Sequence, residues 1–489
     1  MKFFGGMSLA LLVPSIAFAA TPLFIGGNIV VSVSGNGGGA GVFTDNQASP
    51  LTLQQYARNG TSSVSYVNSL VLPQIASGAN FAISAEYGSS SEGLLQRSGD
   101  GRSLVIMGYG VNADAFNANP TAYGTTTTDP TKPTALAQSG SLTGQSYTAV
   151  ARVVANIGVD GSVDTSTALY NIYNGNNPRS AFTIDGSSFY TSGQGVSGDK
   201  TGGIFYATDG AHSATSISGL DTSGKTATQD TRDVQVYNGQ LYVSVDSKQG
   251  TGSNRDFVGT LGTGTPTTLA NNNGGPTSLK GFGNSGGTGK LVVTLNTANG
   301  IDAVGQEINL SPEQYFFANA STLYVADSGM PKNDSALNDS NGSGLGNGGL
   351  QKWVLSGNTW NLAYTLSAGL GLVANTSASG VTGLFGLAGL VTGNSVELYA
   401  TSSVIGDTDQ TYLYGITDSL AATAKPAAES FTTLAAAGPD SKFMGVAFAP
   451  VDATSSVPEP ETYGLMILGF GVIGGLSRAK RSRAAWFGS

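Results

Sequence analysis

The segment Val234-Gln235-Val236-Tyr237-Asn238-Gly239-Gln240-Leu241-Tyr242-Val243-Ser244-Val245 alternates apolar and polar residues on either side of an Asn-Gly pair. Alternation at every second residue turns one face of a strand toward a core and the other toward water. Asn and Gly both accept positive φ, so together they close a two-residue turn whose twist matches the strands it joins. The segment therefore reads as an antiparallel hairpin, and its second strand opens on the apolar-Tyr pair Leu241-Tyr242.

The same theme recurs along the chain. Ala181-Phe182-Thr183-Ile184, Asp185-Gly186 and Phe189-Tyr190 repeat it. So do Tyr315-Phe316-Phe317 with Leu323-Tyr324-Val325-Ala326, and Leu384-Phe385-Gly386-Leu387 with Val396-Glu397-Leu398-Tyr399-Ala400. Weaker copies lie at 94–106, with the turn Asp100-Gly101, and at 278–295. Further strand-like runs follow the hairpins, at 203–207, 350–354, 360–364 and 411–416. Three or four strands per unit, repeated six or seven times, predict an all-β body of the β-propeller kind, with six or seven blades joined by long loops. Phe443-Met444-Gly445-Val446-Ala447-Phe448 has the form of an innermost strand with no partner after it, and Ile29-Val30-Val31-Ser32-Val33 has none before it. Pairing of these N- and C-terminal strands is expected to complete one blade and leave no open edge. A solenoid or a pair of β-sandwiches is the competing arrangement.

Both ends of the chain read as sorting segments. Lys2 precedes an apolar run, 7–18, that closes on Ala17-Phe18-Ala19. This is the form of a secretory signal peptide over 1–19, with Ala17 and Ala19 as the small residues read by signal peptidase and the Sec translocon as the export route. The body is expected over 20–450, followed by a linker over 451–456 and a tail over 457–489. In the tail, no residue of 465–476 carries charge, and Arg478, Lys480, Arg481 and Arg483 follow, a stop-transfer pattern with its positive end retained inside. A transmembrane helix over 462–476 is shorter than the roughly 20 residues a full span needs, which suits a temporary anchor.

Val457, Pro458, Glu459 and Pro460, the short apolar helix and the Arg-rich end together resemble a PEP-CTERM sorting signal, with Pro458, Glu459 and Pro460 matching its core. That resemblance covers only the tail. It implies a protein exported by a Gram-negative bacterium, recognised at the inner membrane by an exosortase, held there at least transiently, and destined for the cell surface or exterior in association with exopolysaccharide or biofilm matrix.

Composition narrows the body's role. A net charge of -9 with only 11% charged residues gives no footprint for DNA or RNA, so no nucleic-acid partner is expected. The chain has no Cys, so an exported body has no disulfide to staple it. No Cys and one His leave no zinc, copper or iron site of the usual kind. Calcium needs only oxygen ligands, and Asp327-Ser328-Gly329, Asn333-Asp334 and Asn338-Asp339-Ser340-Asn341-Gly342 gather several, but without EF-hand spacing and in residues common to any long loop. No cofactor is expected.

Three motif matches lack the context their chemistry requires. Gly219-Leu220-Asp221-Thr222-Ser223-Gly224-Lys225-Thr226 fits a phosphate-binding loop, yet a polar stretch precedes it and a hairpin follows, so it reads as a turn-rich loop. Gly283-Asn284-Ser285-Gly286-Gly287 has the form of a nucleophile elbow, but the sole candidate base is His212, which the Asp209-Gly210-Ala211 turn places in an exposed loop. Gly193, Gly195 and Gly198 have dinucleotide-type spacing without a helix to follow. Trp353 and Trp360, in one outer hairpin, are candidates for stacking on sugar rings, but packing between blades or covering a blade edge is the favoured reading. No catalytic residue is assigned. The expected function is a binding or structural component of an exopolysaccharide matrix; an envelope polysaccharide or ester hydrolase or lyase, and an adhesin or surface-layer component, are the alternatives.

Overall fold

The structure, a computed structural model, describes residues 22–36, 43–126, 134–196, 199–219, 230–246, 256–269, 275–282, 290–293, 306–330 and 348–452. These residues are nearly all β, and their strands pair antiparallel in several sheets. The hairpin quoted above forms as Thr231–Tyr237 and Gln240–Asp246, and Asn238 and Gly239 at its turn have φ of 46° and 73°. Positive φ at both turn residues is the primed geometry that Asn-Gly favours.

Four sheets of four strands each follow one another along the chain. They start with Pro178–Phe182, Thr231–Tyr237, Pro312–Asn319 and Val381–Thr392, and each continues outward strand by strand in sequence order. A larger, nine-stranded sheet combines the two ends of the body with the segment between them. Its terminal part runs Ser441–Phe448, Ile29–Gly35, Ala48–Asn59, Ser63–Val71. Ser84–Glu86 then links it to Ser103–Tyr109, Arg152–Gly158 and Val163–Leu169, with Gln96–Arg97 as the innermost strand of that part.

The predicted closure of the two ends is present: Ile29 stands opposite Phe448, Val30 opposite Ala447 and Val31 opposite Val446. The first strand of each sheet touches the first strand of the next, and the series returns to its start where Ser441–Phe448 meets Gln96–Arg97 and Gln96–Arg97 meets Pro178–Phe182. Apolar residues fill the spaces between successive sheets. Tyr324, Tyr364, Leu384 and Leu398 share one such cluster, and Val234, Val243, Tyr315 and Trp353 share another.

One predicted hairpin is corrected. Strand Thr277–Ser278 pairs back onto Asp256–Thr260, whereas Lys290–Val293 pairs with Gln306–Asn309, so 278–295 is not a hairpin. Each of the two strands takes a neighbour on its other side instead, a choice made by the ring of sheets and not by the turn residues between them. Strands Ala48–Asn59 and Ser63–Val71 were not anticipated, although Asn59-Gly60 lies at their turn. Among the described residues no helix is long and apolar enough to cross a membrane; the helix expected over 462–476, the signal peptide over 1–19 and the sorting residues lie outside them.

Candidate functional site

The first strands of the sheets converge around a cavity of about 240 Å³. Leu95, Gln96 and Arg97, Phe182, Gln235, Gln314 to Phe316, Leu387 to Gly389, and Val446 to Phe448 line it, one group from each converging strand. Its polar lining is dominated by amides: Gln96, Gln235 and Gln314. Each reaches across to a neighbouring sheet. Gln96 Nε2 lies 2.7 Å from Ser180 Oγ and 2.7 Å from Asp233 Oδ1. Gln235 donates to Asp233 Oδ2 at 2.6 Å and to the Tyr315 carbonyl at 2.9 Å. Gln314 donates to the Leu95 carbonyl at 3.2 Å and accepts the Leu387 N–H at 2.8 Å. An amide both donates and accepts, so it bridges sheets without bringing a charge into the interior.

Asp233 lies beneath these amides. Burial pushes its carboxyl up to about 7, opposed by the hydrogen bonds from Ser180 and Gln235. No Asp or Glu is among the cavity's lining residues, and its one cation there is the half-buried Arg97, whose Nε donates to the Gly101 carbonyl at 3.0 Å. Phe182, Tyr315, Phe316 and Phe448 supply aromatic surface.

Nearer the starts of the same strands lies a buried charge cluster. Arg179 and Arg232, each second in its strand, meet Asp230, which lies 2.7 Å from Arg179 Nη2 and 3.4 Å from Arg232 Nε. Arg232 also reaches Asp246 at 3.3 Å and Glu313 at 3.2 Å. Burial works against the charge on Arg232, but Glu313, Asp230 and Asp246 outweigh it and hold its pKa above the ordinary value. Glu313 is pushed up to about 8 by burial, with Arg232 pulling the other way. These carboxyls are sequestered with their arginines, the arrangement of a structural ion cluster. A second buried set joins Glu86, Glu92, Tyr109 and Arg152: Tyr109 donates to Glu92 at 2.7 Å, Glu92 accepts the Glu86 N–H at 2.7 Å, and burial raises both carboxyls.

The structure disperses the other residues singled out above. His212 is exposed and stacks on Tyr170, while 283–289, which holds the Gly-x-Ser-x-Gly match, lies outside the described residues. The phosphate-loop match beyond Gly219 also lies outside them. Gly193 ends its strand with no helix after it among the described residues. Trp353 and Trp360 are buried, Trp353 against Phe282 at 3.8 Å between ring centres and Trp360 against Phe317 of its own sheet at 6.1 Å, and both belong to an apolar cluster shared with the preceding sheet. Asp327 spends its carboxylate on the Ser311 and Gly329 N–H groups and on Gln351, and 331–347, with the remaining calcium candidates, is not described. Among the described residues no group of three or more His, Cys, Asp or Glu is placed to hold a metal ion.

The interior amides were the residues the sequence reading missed. Each Gln sits in a first strand, but Gln96 is followed by Arg97-Ser98, Gln314 is preceded by Glu313 and Gln235 fits ordinary alternation, so the sequence does not single them out.

An all-β body with its ends joined and a cavity at its centre defines the class. The tail is specific: residues 456–481 match the PEP-CTERM protein-sorting motif, which marks an exported protein sorted at the membrane of Gram-negative bacteria with an exosortase as processing partner. No curated protein matches the chain. Among solved structures it is similar to an ancestral GH74 enzyme, at 13% identity and a TM-score of 0.33 over 82% of this chain, and it spans only 40% of that enzyme. It is also similar to a mutant of the Synechocystis apocarotenoid oxygenase, at 9% identity and a TM-score of 0.29 over 88% of this chain and 94% of that one.

Proposed function

We propose that the chain is a secreted matrix protein, with a β-propeller body that binds exopolysaccharide and a tail that delivers it. The ring of contacts between first strands and the pairing of Ile29–Gly35 with Ser441–Phe448 support the propeller. The observation that carries the binding role is the cavity where the first strands converge, lined by amides and aromatic rings and free of carboxylates. Amides hydrogen-bond sugar hydroxyls in both senses and rings cover their apolar faces, whereas hydrolysis of a glycoside ordinarily needs a facing pair of carboxyls. Val457, Pro458, Glu459 and Pro460 would present the exosortase signal, Arg478, Lys480, Arg481 and Arg483 would hold the tail on the cytoplasmic side, and Ala17 and Ala19 would direct removal of the N-terminal signal after Sec export.

The test has two parts. Intact mass of the protein from envelope and medium is compared with that of a Pro458→Ala, Glu459→Ala variant; processing predicts loss of the tail in the wild type and its retention in the variant. The secreted protein is then titrated with exopolysaccharide purified from the producing strain. Arg97→Ala should weaken binding with unchanged melting, and Phe316→Ala should weaken it too while lowering the melting temperature, because that ring also packs on the core. Binding that ignores both substitutions, or release of reducing ends from the polysaccharide, would refute the binding reading.

A further inference from the structure

Arg97, in the wall of the central cavity, differs from the other buried and half-buried arginines. Arg58, Arg179 and Arg232 are paired with carboxylates, and Arg152 spends its guanidinium on four backbone carbonyls and the face of the Tyr109 ring. Arg97 Nε donates to the Gly101 carbonyl at 3.0 Å, but neither terminal nitrogen has a hydrogen bond or ion pair with a described residue. Asp100, the acid whose charge acts on it, is engaged elsewhere: it accepts the Ser98 hydroxyl at 2.7 Å and the Arg102 N–H at 3.1 Å, and lies 3.8 Å from Arg102 Nε. Burial works against the charge on Arg97 and lowers its pKa. A partly desolvated cation without a counter-ion is a cost to the fold, and an arriving anion removes it.

The guanidinium is also seated before any ligand arrives. Gly101, at φ 76°, lies against it: a Cβ on that residue would sit 3.0 Å from Arg97 Cζ and overlap Nη2. The Gly101 carbonyl that takes Arg97 Nε also accepts the Val451 N–H at 2.9 Å, which ties the turn carrying the seat to the segment after the closing strand. A planar fork held in this way loses little freedom when it binds.

The rest of the lining suits a sugar that carries the anion. Gln96 and Gln235 give their N–H groups to Asp233 and to the Val234 and Tyr315 carbonyls. Their side-chain oxygens accept from no described residue and are left as acceptors for hydroxyls. A metal ion would meet Arg97 and no lining carboxylate, and a nucleic acid would bring a phosphate per nucleotide to one cation on a chain of net charge -9. A neutral glycan would leave Arg97 without a counter-ion. A carboxylate fits, because its two oxygens match the parallel N–H groups of a guanidinium.

We propose that the central cavity selects an acidic glycan, with the terminal nitrogens of Arg97 donating to the carboxylate of a hexuronate residue and the oxygens of Gln96 and Gln235 accepting its hydroxyls. This selection rests on the reading of the cavity as the exopolysaccharide site.

The two are separated by titrating the secreted protein, in buffer free of divalent cations, with exopolysaccharide from the producing strain and with the same polymer after carbodiimide activation and borohydride reduction. That treatment converts each hexuronate to its neutral hexose. Reduction is expected to weaken binding to the wild type about tenfold, the loss of a charge-assisted pair. Arg97→Gln should lose about as much on the native polymer and nothing further on the reduced one, and Arg97→Lys, which keeps the charge but not the fork, should fall between; both variants should melt as the wild type does. A reduced polymer that binds the wild type as tightly as the native one overturns the acidic selection and leaves exopolysaccharide binding intact. A native polymer that does not bind overturns both. Arg97→Gln that still loses tenfold on reduction overturns the assignment of the carboxylate to Arg97.

Discussion

The Ser32 hydroxyl accepts the Gly445 N–H at 2.7 Å and donates to the Gly93 carbonyl at 2.6 Å, so one side chain ties the closing strand Ser441–Phe448 to the segment that leads into Gln96–Arg97. The device recurs. Ser244 accepts the Asp233 N–H at 2.9 Å and donates to the Glu313 carbonyl at 2.6 Å. Thr401 accepts the Gly386 N–H at 2.9 Å and donates to the Met444 carbonyl. Ser192 donates to the Arg232 carbonyl at 2.6 Å. Ser244, Thr401 and Ser192 each lie on a second strand and pin the first strand of the next sheet, and Ser32 holds the segment before Gln96–Arg97. Removing one leaves a buried carbonyl unsatisfied, at a cost of about 1–3 kcal/mol. Ser244→Ala and Thr401→Val are expected each to lower stability by that amount in urea unfolding. Because the two share no partner, their double variant should show nearly the sum; a change within error of zero at either site would remove the clamp from the account.

Closure of the body rests on the last strand. Ser441–Phe448 pairs with Ile29–Gly35 and touches Val381–Thr392 and Gln96–Arg97, so it binds the final sheet to the first. A chain ending at Ala437 should lose cooperative unfolding, because apolar residues such as Val31, Tyr399 and Leu413 lose Phe443 and Val446 from their shared cluster. A chain ending at Ser456, with the sorting tail removed but the strand intact, should melt like the full protein. Scanning calorimetry of the two truncations separates these outcomes.

The hairpins and the closure were legible in the sequence because each depends on local chemistry: Asn238-Gly239 and Asp100-Gly101 turns, and apolar alternation in runs such as Leu241 to Val245. The interior polar networks were not legible. Asp233, Gln96 and Ser180 meet at hydrogen-bond distance only because three strands far apart in sequence converge, and nothing in a single strand's pattern records its neighbour in the ring. The same holds for Lys352 and Asp418, each of which in isolation looks like an ordinary surface charge. Where sequence reading erred, at 278–295, two apolar runs close in sequence were assumed to pair, and the partners that won were on either side.

Arg232 is the hub of the buried charge cluster, within salt-bridge distance of Asp230, Asp246 and Glu313. Arg232→Met keeps much of the volume but strands those carboxyls in the interior, which for a broken buried pair costs about 3–5 kcal/mol. Arg232→Lys should recover only part of the loss, since a single ammonium cannot span partners that the guanidinium reaches through three nitrogens. Chemical denaturation of both variants gives the ranking directly, and equal stability of the Met variant and the wild type would show that the cluster is not held by Arg232.

Stability should also fall as pH rises toward and past neutrality. Burial raises Asp233 and Asp327 to about 7 and Glu313 to about 8, and burial with Asp418 raises Glu429 to about 7. A carboxyl whose folded pKa lies above its unfolded value of about 4 binds its proton more tightly when folded. The stability it contributes is therefore complete below that unfolded value and is lost as pH climbs through the folded one. Lys442, lowered to about 8 by burial despite Asp407, acts in the opposite sense, but only above its folded value, so it does not mask the trend at lower pH. The melting temperature is thus expected to decline steadily between about pH 5 and pH 8. Glu429→Gln, which removes the one raised carboxyl of this set that reaches solvent, should flatten the decline without abolishing it. A melting temperature that rises over that interval would mean the buried acids are ionised in the folded protein and held by partners stronger than burial opposes.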